Sequence, residues 1–198
     1  EMGGGWYVKT VTPDAAKKGK RALLDFQGIM YYGDVYLNGE RVGGTDYGYV
    51  GFEIDVTNKL KYGQENTVAV YANTGEPKQS RWYTGGGLFR DVSLIYTDAQ
   101  LYFLRHPLYI TTTDNKTVHI TANVQCHTKQ NTVAMRVIVT SPDGKEVKNE
   151  VYKVKRNRNY KRGQELAIPA FDIESPMLWD CDNPNLYTVR VELIKENG

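Results

Sequence analysis

The fold is indicated most clearly by the stretch DVYLNGERV, residues 34–42. Its Asn38-Gly39 pair separates two runs that are rich in strand-forming residues. A type I′ turn requires positive φ at both central positions, and Asn and Gly tolerate such angles. The stretch therefore predicts a tight β-hairpin. Further short strand-like runs, bounded by Gly, Pro or Asn, lie at residues 6–12, 21–26, 67–73 and 88–96.

A second series of strands is predicted beyond Thr97, where glycines become rarer. Alternation of apolar and polar residues between Val118 and Val124 is typical of a sheet with one solvated face. Ser141-Pro142-Asp143-Gly144 has the composition of a turn. The predicted strands cover residues 108–112, 118–126, 133–140, 147–154, 165–168 and 186–193. Because no segment longer than eight residues has a helical period, we predict an all-β chain of two β-sandwiches, the second of immunoglobulin type.

Composition bounds the possible functions. A length of 198 residues suits two small domains, and 25 basic against 23 acidic residues gives no argument for a nucleic-acid partner. No apolar run reaches the roughly 20 residues that a membrane span requires. The 15 tyrosines suit half-buried sheet faces, and they also suit contacts with sugars. The opening Glu1-Met2-Gly3 does not resemble a natural start, so we expect the chain to begin inside a longer polypeptide.

Residues for catalysis or metal binding do not converge in the sequence. His119 and His127 would lie about 26 Å apart along a strand, at roughly 3.3 Å per residue, so they cannot share a metal ion. The glycines of residues 85–87 precede a strand rather than a helix, and they predict a tight loop whose backbone passes close to other groups. Cys126 and Cys181 are not expected to form a disulfide. We predict no catalytic residue, no metal site and no cofactor.

Three motifs resemble glycoside hydrolase family 2. SRWYTGGGLFRDV, residues 80–92, resembles the Arg-Trp-Tyr-x-Gly-x-Gly-aromatic-Arg-Asp-Val signature that closes the N-terminal jelly roll of that family. Residues 34–70 look like the core pattern of the same domain. Residues 175–189 resemble the Pro-x-Leu-Trp and Pro-x-Leu-Tyr ending of its immunoglobulin-like second domain, where Trp179 and Tyr187 are expected to lie in the core. GWYVKT, residues 5–10, resembles an opening strand in which Val8 replaces the usual Arg.

The resemblance implies a fold and a function. It implies a truncated, galactose-binding-like jelly-roll β-sandwich over residues 1–104, followed by an immunoglobulin-like β-sandwich over residues 105–198. It places both catalytic glutamates on a (β/α)8 barrel that these residues do not include. The expected function is therefore that of a non-catalytic N-terminal fragment of a retaining exo-β-glycosidase, with a β-galactosidase as the first expectation. The alternatives are a β-glucuronidase or β-mannosidase parent, a free-standing carbohydrate-binding module, and a purely structural or adhesion sandwich.

The resemblance also suggests residues that line the sugar pocket. Arg81 is expected to hydrogen-bond a sugar hydroxyl with Asp46 nearby, and Trp82 and Tyr83 are further candidates. In the alternative interpretation Trp82 and Tyr83 pack at a domain interface, and Arg81 pairs with a carboxylate. The expected partners are carbohydrate and the barrel of the same chain, with no nucleic acid and no membrane. Exposed strand edges predict self-association. The compartment stays open, with a periplasmic or secreted location slightly favoured over a cytoplasmic one.

Overall fold

The computed structural model describes residues 3–75, 85–160 and 162–195. The chain divides into two compact units, Glu1–Ala99 and Gln100–Gly198, which we call unit 1 and unit 2. In the described ranges, all regular structure is strand apart from one short 3-10 helix, Ala15–Lys17. The predicted all-β class is therefore confirmed.

Unit 1 is an antiparallel β-sandwich. Its strands are β1 (Gly4–Val11), β2 (Arg21–Phe26), β3 (Ile29–Met30), β4 (Tyr32–Leu37), β5 (Glu40–Thr45), β6 (Phe52–Asp55), β7 (Asn66–Asn73), β8 (Gly87–Leu88) and β9 (Val92–Thr97). One sheet has the order β1-β7-β4-β5, a second has the order β6-β2-β9, and β3 pairs with β8. Apolar side chains from the two larger sheets meet between them, where Phe26, Val35 and Val56 are fully buried.

The hairpin predicted at residues 34–42 is confirmed. Asn38 has φ 53° and Gly39 has φ 86°, which are the positive angles that the turn requires. The pairing shifts from Val35 opposite Gly43 to Tyr36 opposite Arg41, so Val42 forms a β-bulge in β5. The hairpin fixes β4 beside β5 and thereby places the loop that follows β5 at one end of unit 1.

The continuous strand predicted at residues 88–96 is wrong, because the chain changes sheets within it. Leu88 pairs with Ile29 in the short sheet, whereas Val92 pairs with Phe26 in the other. Between them the Phe89 ring packs over Gly28, where a side chain would lie 2.7 Å from its Cζ atom. This close approach, which only a glycine permits, carries the backbone from one sheet to the next.

Unit 2 is a second antiparallel sandwich. Its strands are β10 (Leu101–Thr113), β11 (Thr117–Cys126), β12 (Thr132–Thr140), β13 (Glu146–Lys155), β14 (Gln164–Asp172) and β15 (Thr188–Ile194). The sheets have the orders β10-β11-β14 and β13-β12-β15. The predicted alternation in β11 is confirmed, since Val118, Ile120, Ala122 and Val124 are all buried. The turn at 141–144 also forms, with the Gly144 N–H donating to the Ser141 carbonyl at 2.9 Å.

The segment between β14 and β15 differs from its prediction at one of two aromatic residues. Tyr187 packs against the core of unit 2, as predicted, and its hydroxyl accepts a hydrogen bond from the Met177 N–H at 2.9 Å. Trp179 is 59% exposed, so its predicted core position is wrong. Tyr187 directly precedes β15, which orients its ring toward the sandwich. Trp179 lies in irregular chain that no strand pairing directs inward.

Candidate functional site

Asp46 lies in the loop that connects β5 to β6, and its side chain is exposed. Within the described ranges the Asp46 carboxylate has neither a hydrogen-bond nor an ion-pair partner. An exposed carboxylate in this state keeps its acceptor oxygens available to a ligand.

Two contacts fix the position of this loop. The Thr45 hydroxyl donates to the Tyr47 carbonyl at 3.0 Å and lies 3.2 Å from the Tyr47 backbone nitrogen. Gly48 is buried against Met30, and a side chain at Gly48 would overlap the Met30 sulfur atom. The loop is therefore held against β3, which precedes a pair of tyrosines.

Four tyrosines surround this end of unit 1, and we call Tyr31, Tyr32, Tyr47 and Tyr49 the tyrosine cluster. The Tyr47 and Tyr49 ring centroids are 5.7 Å apart, and those of Tyr31 and Tyr32 are 6.3 Å apart. Burial raises the pKa of the Tyr31 phenol, and the neighbouring phenols of Tyr49, Tyr32 and Tyr47 raise this pKa further. Tyr32, Tyr47 and Tyr49 are 42–53% exposed, so the cluster has one buried tyrosine and three partly exposed ones.

The other predicted site residues, Arg81, Trp82 and Tyr83, lie outside the described residues. The chain on both sides of them is described. Asn73, at the end of β7, pairs with Tyr32 and accepts a hydrogen bond from the Tyr31 N–H at 3.2 Å. On the C-terminal side of Arg81, Trp82 and Tyr83, Gly87 of β8 pairs with Met30 of β3.

Two of the three glycines of residues 85–87 lie close to other groups, as the sequence predicts, whereas an added Cβ at Gly85 would meet nothing within 4 Å. Gly87 has φ 79°, and a side chain there would overlap the Tyr7 hydroxyl. At Gly86 an added Cβ would lie 3.0 Å from the Thr74 side chain. The backbone therefore passes close to other groups and leads into the short strand β8.

The chemistry of this end of unit 1 suits binding rather than bond cleavage. Exposed phenol rings offer apolar faces with hydroxyl groups at their edges, and Asp46 adds a strong acceptor. Glycoside hydrolysis requires two carboxyl groups about 5–9.5 Å apart, and the tyrosine cluster and its loop contribute one.

Sequence reasoning identified Asp46 but not the four tyrosines. The sequence shows a high tyrosine content. The two tyrosine pairs come close together, however, because the β5–β6 loop contacts β3. The paired positions 31–32 and 47–49 on either side of predicted strands were the only available signal.

In residues 3–75, 85–160 and 162–195, no group of three or more His, Cys, Asp or Glu side chains is placed to hold a metal ion. No helix in those parts has the length and apolar character needed to cross a membrane.

Two family models match the chain. Residues 5–85 match the family described as glycosyl hydrolase 2 galactose-binding domain-like, and residues 103–198 match glycosyl hydrolases family 2. The two matches correspond to the two sandwiches, and they confirm a galactose-binding-like sandwich followed by a second sandwich of the same family.

Known proteins of this family are similar to almost the whole chain. The β-galactosidase BoGH2A of Bacteroides ovatus is 30% identical over 98% of the chain, which covers 23% of that protein. A β-glucuronidase of Bacteroides fragilis is 31% identical over 99% of the chain, which covers 30% of it. The crystal structure of a family 2 member from Bacteroides cellulosilyticus superposes with a TM-score of 0.85 at 31% identity, over 99% of this chain and 27% of that one. The chain thus spans less than a third of each of these proteins, and it belongs to glycoside hydrolase family 2.

Proposed function

We propose that this chain is the non-catalytic front portion of a retaining exo-β-glycosidase and that the tyrosine cluster with Asp46 lines part of its sugar pocket. The observation that carries the proposal is an exposed Asp46 carboxylate that has no partner among the described residues and is next in sequence to Tyr47 of the tyrosine cluster, in a chain of this family. Arg81, Trp82 and Tyr83 are proposed to complete the same wall. The two glutamates of a retaining mechanism would be supplied by a (β/α)8 barrel outside these 198 residues.

The two sandwiches are proposed to be two domains with different roles. We propose a jelly-roll domain over residues 1–104 and an immunoglobulin-like domain over residues 105–198. The separation of the two compact units at Ala99 and Gln100 supports a junction in this part of the chain. In this proposal the first domain contacts sugar and the second acts as a scaffold.

A β-galactoside is the proposed substrate, with a β-glucuronide or a β-mannoside as the alternatives. The similar proteins include both galactosidases and glucuronidases at nearly equal identity, so the comparison does not separate them. The charge of Asp46 supports the galactoside. Two like charges 4 Å apart repel by about 1 kcal/mol in water, and a glucuronide carries a carboxylate that a galactoside lacks.

The test is a titration of methyl β-galactoside and methyl β-glucuronide into the chain, followed by NMR chemical shifts. We expect methyl β-galactoside to shift the signals of Tyr47 and Tyr49. Replacing Tyr47 with alanine should weaken this binding about tenfold, the ratio for roughly 1.4 kcal/mol. Asp46→Asn should strengthen glucuronide binding about fivefold by removing the repulsion.

Tyr109 provides the matched control, because it is 69% exposed on β10 of unit 2. Tyr109→Ala should leave both titrations unchanged. The proposal would be contradicted if Tyr47→Ala and Tyr109→Ala lowered the sugar affinity equally. It would also be contradicted if neither sugar changed the NMR chemical shifts of the tyrosine cluster.

One side of unit 1 is open and should promote self-association. β1 and β9 are edge strands of the two larger sheets, and β1 is exposed along almost its whole length. Between them lies an apolar cavity of about 450 Å³, lined in part by Tyr7, Phe26 and Leu94. Unpaired strand edges beside apolar surface are templates for pairing with another chain.

The edge strand β13 of unit 2 is better protected. Its Lys148 is largely buried, contacts Glu150 at 2.8 Å and lies over the Phe171 ring at 5.0 Å. Such inward-pointing charges discourage edge pairing. We therefore expect association through unit 1.

Sedimentation velocity at increasing protein concentration checks this expectation. We expect dimers or larger species, which Val92→Lys in β9 should reduce by placing a charge in the open cavity. Val151→Lys in β13 is the control, since Val151 is 50% exposed on the protected edge. A clean monomer at high concentration would contradict the prediction.

A further inference from the structure

A second group of aromatic rings lies on the outer face of the sheet β1-β7-β4-β5. Trp6 of β1 pairs directly with Tyr71 of β7, and their ring centroids are 5.1 Å apart. Tyr36 of β4 lies 5.5 Å from Trp6 by the same measure. We call Trp6, Tyr36 and Tyr71 the aromatic platform. Trp6 is 59% exposed, so the platform presents ring surface to solvent.

The aromatic platform and the tyrosine cluster share strand β4. Side chains two residues apart on a strand lie on one face, so Tyr32, Asp34 and Tyr36 of β4 share the outer face of the sheet. Their inward neighbours Val35 and Leu37 are buried, which agrees with this assignment. At about 3.3 Å per residue, Tyr32 and Tyr36 lie about 13 Å apart along β4, with Asp34 between them on the same face.

The polar groups at the rim of the platform carry balanced charge. Arg41 donates from Nε to the Asp34 carboxylate at 2.7 Å, and its Nη2 atom lies 2.7 Å from the same oxygen. Both side chains remain partly exposed, at 60% and 42%, so their other donors and acceptors are accessible. Because each charge is offset by the other, this rim suits a ligand with hydroxyl groups and no net charge.

The aromatic platform includes a small side chain on the central strand β7. Ala69 of β7 lies between Val8 of β1 and Tyr36 of β4 in the cross-strand register. Ala69 is therefore flanked by an aliphatic side chain on one strand and by a tyrosine ring on the other, which makes the face apolar at this point. The C–H faces of a pyranose pack against aromatic faces, while its hydroxyl groups reach polar side chains at the edge.

We propose that the aromatic platform binds further units of a neutral oligosaccharide whose first sugar occupies the tyrosine cluster. This inference rests on the proposed function, which it deepens by assigning an extended oligosaccharide as the substrate class. The shared outer face of β4, the paired charges of Asp34 and Arg41 and the length of that face support an extended neutral chain. A protein partner is less well matched, since a stable interface engages about 20–30 residues on each side.

The experiment compares a monosaccharide with an oligosaccharide by calorimetry on the intact chain. The probes are methyl β-galactoside and a β-linked galactotetraose. We expect the tetraose to bind at least about tenfold more tightly, the ratio for one or two additional ring contacts. Trp6→Ala should reduce tetraose affinity to that of the monosaccharide and leave monosaccharide binding unchanged.

The control is Trp179→Ala, because Trp179 is also 59% exposed but lies in unit 2. It should change neither titration. Tyr36→Ala is the second platform variant, and it should weaken tetraose binding in the same direction as Trp6→Ala. Circular dichroism establishes that each variant is folded.

The outcomes separate this inference from the proposed function. If Tyr47→Ala weakens monosaccharide binding but the tetraose gains nothing over the monosaccharide, the proposed function stands and the platform assignment is overturned. If a tetragalacturonate binds as tightly as the neutral tetraose, the neutral-chain assignment is overturned. If Trp6→Ala alters only sedimentation, the platform is a contact between protein chains, and the inference is likewise overturned.

Discussion

Replacement of Asn66 with alanine is expected to lower the free energy of unfolding of unit 1 by about 3 kcal/mol or more. Asn66 is 1% exposed, and its amide nitrogen donates to the carbonyls of Lys61 at 2.8 Å and Gln64 at 3.0 Å. Its amide oxygen accepts from the Lys61 N–H at 2.9 Å and from the Asn38 side chain at 3.0 Å. Alanine would leave several buried polar groups unpaired, and each costs about 1–3 kcal/mol.

The effect should extend to the hairpin that indicates the fold. Asn38 is the first turn residue of that hairpin, and its N–H donates to the Thr67 carbonyl at 2.8 Å. The Thr67 N–H donates back to the Asn38 side-chain oxygen at 3.0 Å. Asn66 therefore links the hairpin tip to the loop before β7, and its loss should loosen both.

Urea unfolding of the wild-type chain and the variant measures this change. Asn149→Ala is the matched control, because Asn149 is exposed and its side chain donates to Glu146 at 3.1 Å. Its cost should stay below about 0.5 kcal/mol, as for most surface substitutions. If Asn66→Ala lowered the free energy of unfolding by less than about 1 kcal/mol, the hydrogen bonds of Asn66 would not stabilise unit 1 as we expect.

Local features of the fold were predictable because local chemistry determines them. The Asn38-Gly39 turn needs two positive φ angles, and few other residue pairs accept them. The alternation from Val118 to Val124 follows from burial of one face of β11. In such segments the sequence pattern and the tertiary structure favour the same conformation.

Features that depend on long-range pairing were not predictable. The change of sheet between Leu88 and Val92 depends on Phe89 packing over Gly28, a contact between residues far apart in sequence. The exposure of Trp179 depends on which neighbouring segments pair as strands. Apolar character alone predicts burial, and it fails where no strand directs the side chain inward.

Part of the candidate site was predictable from the sequence, and part was not. Asp46 was identified through the family resemblance, together with Arg81, Trp82 and Tyr83, which lie outside the described residues. The tyrosine cluster forms only because Gly48 brings the β5–β6 loop against Met30. No sequence pattern connects residues 31–32 with residues 47–49, so the cluster required the structure.

The largest expected effect is the absence of glycosidase activity in this chain by itself. A retaining mechanism uses two carboxyl groups about 5–5.5 Å apart, one as nucleophile and one as acid and base. The tyrosine cluster offers the single carboxylate of Asp46. Enzymes accelerate reactions at least about 10⁶-fold, and binding groups without a nucleophile and a proton donor should provide almost none of this acceleration.

The absence of activity is tested most directly by the rate at which the purified chain hydrolyses chromogenic β-galactosides and β-glucuronides. A full-length family 2 β-galactosidase and a full-length family 2 β-glucuronidase, assayed in parallel, serve as positive controls. We expect a rate indistinguishable from buffer at every substrate concentration. Saturable turnover that co-elutes with the chain in gel filtration would contradict this expectation, because the catalytic carboxylates would then lie within these 198 residues.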